Sequence, residues 1–238
     1  MTPYEFVNLC RALLESSFPL DWQPVWLSLR VALGALILVA ITGTLVGRFF
    51  ATRRFRGQTF IEALFLLPLV LPPVVSGFIL LVLLGRRGIA GAWLWEALRV
   101  QLLFSPFAAT IASALVAFPL MFSSARAAFA GVNSELEHAA RSLGASPMRT
   151  FFTISLPLAT PGLWAGISLS FARALGEFGA TILVAGNIEG KTTTVSTAIF
   201  MAAQSGDYSL AARYCLVLAF LNIAFVVAAQ TGTRAPRQ

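Results

Sequence analysis

The sequence predicts an all-α, polytopic membrane protein: five transmembrane helices, an N-terminal interfacial helix and one amphipathic helix in a loop between spans. Composition is the first reason. The chain is 58% hydrophobic and 11% charged, with a mean hydropathy of +0.81, whereas an ordinary soluble domain carries about 25% charged residues. The second reason is spacing, since apolar runs near the ~20 residues that a helix needs to cross a bilayer alternate with short basic clusters. The third is how the net charge of +7 is spread. The cations sit between apolar runs rather than along one face, which excludes a nucleic-acid surface.

Residues 1–20, "MTPYEFVNLCRALLESSFPL", lack the basic start and the apolar core of about 7–15 residues that mark a cleaved signal peptide. Thr2, Pro3 and Glu5 resemble a helix start, apolar positions recur at helical spacing through Leu14, and Phe18-Pro19 stops the run, so an interfacial helix is expected. The five spans are placed at residues 25–47, 59–84, 102–122, 156–185 and 210–230. Pro68, Pro72 and Pro73 predict a bend or break in the second, because each disturbs a backbone hydrogen bond. Gly162, Gly166, Gly176 and Gly179 mark the fourth span as a close-contact helix, either within the subunit or across a two-fold axis between subunits, with the axis as the favoured assignment.

Loop cations set the orientation. With the N-terminus outside, inside segments hold nine of the basic residues and outside segments five, which favours N-outside and C-cytoplasmic. The stretch "ELEHAARSLGASPMRTFFTISLP", residues 135–157, then lies in the cytoplasm. Ser134 with Glu137 has the capping-box pattern, with Asn133 as a rival cap. Leu136, Ala139, Ala140 and Leu143 form a narrow apolar stripe, and Gly144 stands where a left-handed residue ends a helix. Ser146 and Pro147 begin a second helix that runs toward the membrane through Phe151 and Phe152. Small side chains on such a rigid element let another surface dock closely.

Arg173 and Glu177 are the acid–base pair well inside a span, four residues apart on one helix face. Two readings stay open: a structural ion pair that lowers the cost of charge in lipid, or an anion path or gate in which the Arg173 guanidinium attracts an oxyanion. The hydroxyl-rich stretch over 187–209, with Lys191, falls outside the membrane, either as a surface for an external partner or as a solvated loop. Cys10, Cys215 and His138 make no metal-site spacing, and no GxxxxGK[ST] stretch is present for nucleotide binding. A lone histidine and the lack of a carboxylate pair in the spans argue against an intramembrane enzyme, leaving a passive anion channel as the rival from another class.

Glu137, Ala139, Ala140, Gly144, Ile154 and Leu156-Pro157, at these spacings, resemble the "EAA" loop of the membrane subunits of bacterial and archaeal ABC importers. The stretches over 67–91, 118–145 and 170–200 are similar to the molybdate branch of that family, with sulfate/thiosulfate and tungstate permeases as close alternatives. Lys191 departs from that branch, which often has an acidic or neutral residue there. The resemblance implies a type I importer permease fold, with residues 1–238 as one permease domain and 133–156 as its coupling loop. It implies that Glu137, Ala139, Ala140, Leu143 and Gly144 couple to cytoplasmic ABC ATPase subunits. It also implies a homodimer in the cytoplasmic membrane, in contact with lipid and with a periplasmic or extracellular anion-binding protein. No cofactor is expected in this chain, ATP and Mg being bound by the ATPase.

The orientation is checked with single cysteines. Ser146→Cys is expected to react with impermeant thiol reagents only from the cytoplasmic side, and Ser205→Cys only from the opposite side. The reverse labelling pattern would overturn the charge assignment.

Overall fold

The computed structural model of the chain describes residues 20–99 and 101–231, so the interfacial helix expected over 1–20 lies, apart from Leu20, outside the described residues. The helices are α1 (Gln23–Thr52), α2 (Gln58–Val70), α3 (Pro73–Leu84), α4 (Ile89–Leu98), α5 (Pro106–Ala130), α6 (Ser134–Ser142), α7 (Pro147–Thr150), α8 (Leu156–Leu175), α9 (Gly179–Ala185), α10 (Val195–Gln204) and α11 (Tyr208–Thr231). A π-helical turn, Phe151–Ser155, joins α7 to α8. Among the described residues there is no strand.

Four stretches are each long and apolar enough to cross a bilayer: α1, α5, the continuous helix Pro147–Leu175, and α11. The pair α2–α3 passes the same test together, bent by 109° at its break. Pro68 stays inside α2, and the break falls at Leu71–Pro72, where the chain is extended before Pro73 starts the next helix. Position shows what the pair does. α2 begins where Gln58 Nε2 donates to Phe50 O at 3.1 Å and Glu62 meets Arg126 at 2.9 Å. α3 ends beside Leu103, just before α5 starts, at the opposite end of the bundle. The pair is therefore one broken passage, which makes five among the described residues.

Small residues set the central packing. Along α1, Gly34, Gly43 and Gly47 face Thr110, Met121 and Ala125 of α5 in the same order, so these helices run parallel. On the other side of α5, Gly162 and Gly166 of α8 meet Ala128 and Ser124, an antiparallel contact. A Cβ on Gly47 would lie 2.7 Å from Ala125 Cβ, and one on Gly162 would lie 2.6 Å from Ala128 Cβ. Without a hydrophobic drive between helices in lipid, such close backbone approach provides the association energy through dispersion. Gly162 and Gly166 thus pack inside the subunit, and Gly179 meets Pro73, which corrects their assignment to a two-fold axis. α11 runs parallel to α1: Tyr214 Oη donates to Asp21 O at 2.9 Å, and Phe225 stacks on Phe171 with ring centres 3.7 Å apart.

Two further expectations change. The fourth span does not extend to 185, because α8 ends at Leu175 and the chain breaks at Gly176 before α9. The 187–209 stretch is not a solvated loop. Thr192, Thr194 and Thr197 are buried, Val195 N donates to Ser28 Oγ at 2.8 Å, and α10 occupies half of the segment.

If the glycine seam holds the bundle, Gly47→Val is expected to lower stability by about 1–3 kcal/mol through overpacking. Gly131→Ala, whose Cβ would have ordinary contacts at 3.6 Å, is expected to stay near neutral. Thermal unfolding of the purified protein in one detergent checks the difference, and equal effects would refute the seam.

Candidate functional site

Two places in the bundle carry charge or broken geometry that packing alone does not require. The first is the end that gathers Arg48, the 53–56 cluster, Arg126, Arg141 and Arg149, and from which α6 projects. Asn133 caps α6 by accepting from Glu135 N at 2.9 Å, so the rival cap prevails over the Ser134–Glu137 box. Glu137 is freed for another task. Its carboxylate accepts from Ser155 Oγ in the π turn and lies 3.6 Å from Arg141. Arg48, from the end of α1, is under the electrostatic influence of both Glu137 and Arg141. Its guanidinium stacks at 4.0 Å over Phe151 and at 5.5 Å over Phe129 of α5.

The Glu137–Ser155 bond ties α6 to the turn that leads into α8, and the Arg48 stack holds that turn against α1 and α5. The exposed Glu137–Arg141 contact adds little by itself, but the charge-assisted bond to buried Ser155 and the stack on Phe151 are stronger. The π turn matters locally: an extra residue per turn lets Phe151 meet Arg48 while Ser155 meets Glu137. The helix then ends as the sequence requires. Gly144 has φ +86°, and the bonds Ala145 N to Ala140 O (3.0 Å) and Gly144 N to Arg141 O (2.9 Å) close a Schellman motif. Ser146 caps the next helix through Arg149 N at 3.3 Å, as its position before Pro147 predicted.

The face turned away from these anchors is apolar and uncovered. Leu143 is 90% exposed, Met148 68% and Leu136 47%, with Ala139 also exposed and Ala140 half-buried. An exposed apolar patch on a rigid polar-anchored element is an interaction surface by its physics. Sequence reasoning found this face, and it missed Arg48 and Ser155. Ser155 lies within the 133–156 loop and Arg48 far from it in sequence, and only the fold brings Ser155 to Glu137 and Arg48 over Phe151.

The second place is the meeting of the two breaks. Glu177 is buried at the end of α8, its Oε2 2.7 Å from Arg173 Nη1. Its Oε1 accepts from Ala180 N at 2.8 Å and so satisfies a free amide at the start of α9. α9 in turn packs on α3: a Cβ at Gly77 would stand 2.7 Å from Ala180 Cα, and one at Gly179 3.0 Å from Pro73 Cβ. Arg173 and Glu177 are thus brought together, as their spacing predicted, at the point where both broken passages touch. Non-helical backbone at this depth is tolerated because protein groups satisfy it.

A bundle with broken passages at its centre and a tethered, outward-facing helix at its basic end has the architecture of a transporter permease. The chain belongs to the family of inner membrane components of binding-protein-dependent transport systems, whose pattern matches residues 43–233. It is 44% identical over 198 residues to the molybdenum transport system permease protein ModB of Escherichia coli K12, covering 83% of this chain and 86% of that one. It is 42% identical over 198 residues, with the same coverage, to ModB of Haemophilus influenzae. The fold is also that of the bacterial alginate ABC transporter crystallised with its alginate-bound periplasmic protein: the TM-score is 0.72 at 19% identity, over 98% of this chain and 83% of that one.

Arg173→Gln alone leaves a buried carboxylate without its counter-charge and is expected to cost about 3–5 kcal/mol. Arg173→Gln with Glu177→Gln, in which the amide oxygen still accepts from Ala180 N, is expected to recover most of that loss. Denaturation midpoints of wild type, single and double variants give the coupling, and an additive double variant would remove the ion pair from the account.

Proposed function

We propose that this chain is the permease subunit of an ATP-driven molybdate importer. Two copies form the pore, two separate ATPase chains hold ATP and Mg on the cytoplasmic side, and an anion-binding protein delivers cargo from outside. Residues 1–238 make up one permease domain, with the N-terminus outside, the C-terminus cytoplasmic, and 133–156 as the coupling loop. The relatives named for molybdenum transport support the cargo, and the cation excess at the α6 end supports the orientation.

One observation carries the coupling role: α6 is bonded through Glu137 to Ser155 of the π turn, a turn that Arg48 of α1 stacks against, while the opposite face of α6 is bare. A subunit that grips Leu136, Ala139 and Leu143 therefore displaces spans rather than bending a loop. ATP binding drives the change only through its different affinity for the two states of the assembly. Arg173 and Glu177 act in this reading as the brace of the central break. The guanidinium is already matched by its own carboxylate, so cargo crosses without a free cation from this pair.

Reconstituted with the ATPase, the permease is expected to take up labelled molybdate only when ATP is supplied; uptake without ATP would make it a channel, and preferential uptake of sulfate would change the cargo. Gly144→Val, strained at φ +86° although its Cβ would meet nothing within 4 Å, is expected to insert normally yet lose ATPase co-purification and uptake. Glu137→Lys, which sets a third cation beside Arg48 and Arg141, is expected to do the same. Full ATPase association with wild-type uptake in Gly144→Val would refute the coupling assignment.

A further inference from the structure

At the end of the bundle opposite α6, a pocket of about 680 Å³ opens between the start of α1, the start of α5 and the 190–193 loop. Trp26, Arg30, Gln23, Lys191 and Thr193 are among its walls. Among the described residues neither Arg30 nor Lys191 has a carboxylate partner, and both are exposed. Thr193 is engaged with Asn187, and Gly190, at φ +76°, turns the loop against the Gln23 amide so that Lys191 stands beside α1. Two unneutralised cations in a concave site call for an anion.

The surroundings say which kind. On α1, Trp26, Arg30, Leu33, Ile37, Ile41 and Leu45 succeed one another every three or four residues and are all exposed. They form one stripe along the exposed side of α1. Its lower part is a surface for hydrocarbon chains, and Arg30 sits about 10 Å along the helix from Gln23, at 1.5 Å per residue. Exposed Trp22, Trp26 and Trp93 lie at this same end, in the manner of indoles at a membrane–water boundary. A cation on the lipid-facing side reaches the boundary by extending its side chain and is offset there by an anionic headgroup.

We propose that this pocket binds the phosphate of an anionic glycerophospholipid, held between Arg30 and Lys191, with the acyl chains lying along the α1 stripe. The shared chemistry is a tetrahedral oxyanion. The lipid is the source the stripe selects, because a free anion has no use for the apolar surface that continues from the site. The leaflet, the outer one, rests on the orientation proposed above; the site itself does not.

The test uses the full permease–ATPase complex in nanodiscs of phosphatidylcholine with increasing phosphatidylglycerol, followed by native mass spectrometry of retained lipid. Wild type is expected to retain phosphatidylglycerol, and Arg30→Gln/Lys191→Gln to lose on the order of tenfold in apparent affinity. Arg30→Lys/Lys191→Arg is expected to keep it. If the double neutral variant does not fold, Lys191→Gln alone, changed in an exposed turn, must still weaken retention. Equal retention by wild type and the folded neutral variant, or no preference over phosphatidylcholine, would overturn the proposal. Inorganic phosphate or molybdate at millimolar concentration displacing the lipid would instead assign the pocket to a free oxyanion. Loss of binding-protein affinity with unchanged lipid retention would assign it to an acidic protein surface. Retention is read without transport, so a failure here is separate from a failure of molybdate uptake.

Discussion

Close contact between α1, α5 and α8 is the constraint on which the remaining structure depends. In lipid there is no hydrophobic gain from bringing apolar helices together, so association relies on how near their backbones can come. Gly43 and Gly47 on one side of α5, and Gly162 and Gly166 on the other, leave no room for even a methyl group without displacement. α5, lined by alanines that are almost wholly buried, becomes the axis against which both neighbours are fixed. The ends of these three helices then determine where everything else can stand.

A rigid core of this kind permits irregularity beside it. The break in α2–α3 and the break after α8 would each leave backbone groups bare in hydrocarbon, at a cost of several kcal/mol per group. They are accommodated by facing one another. Glu177 serves the amide of Ala180 with one oxygen and Arg173 with the other, and glycines at 77 and 179 let α3 and α9 touch. Charge inside the membrane here is part of the compensation for a broken helix, which explains why it appears as a pair on one face.

The opposite design governs α6. Its bond to the spans is directional, a carboxylate on the hydroxyl of Ser155, and the turn that carries Ser155 is itself held by the Arg48 guanidinium. Directional contacts fix orientation better than apolar packing does, and a helix held by its polar side presents its apolar side outward. In the proposed coupling role, movement imposed on that side would pass through Ser155 and the π turn into α8.

The sequence by itself determined the class, the number of passages, the proline-broken second span, the Gly144 terminus, the Ser146 cap and the Arg173–Glu177 pair. Each of these depends on local chemistry: hydrophobic length, a missing amide proton, a residue free to adopt positive φ, or two side chains one helical turn apart. Only the tertiary structure decided which surface each glycine meets, that Asn133 rather than Ser134 caps α6, and that the threonines before α10 are buried. It alone joined Ser155 to Glu137, laid Arg48 over Phe151 and placed Lys191 and Arg30 on the walls of one pocket. These are choices between chemically equivalent partners, and what separates them is distance across the fold, which residues far apart along a chain acquire only when the helices between them have packed.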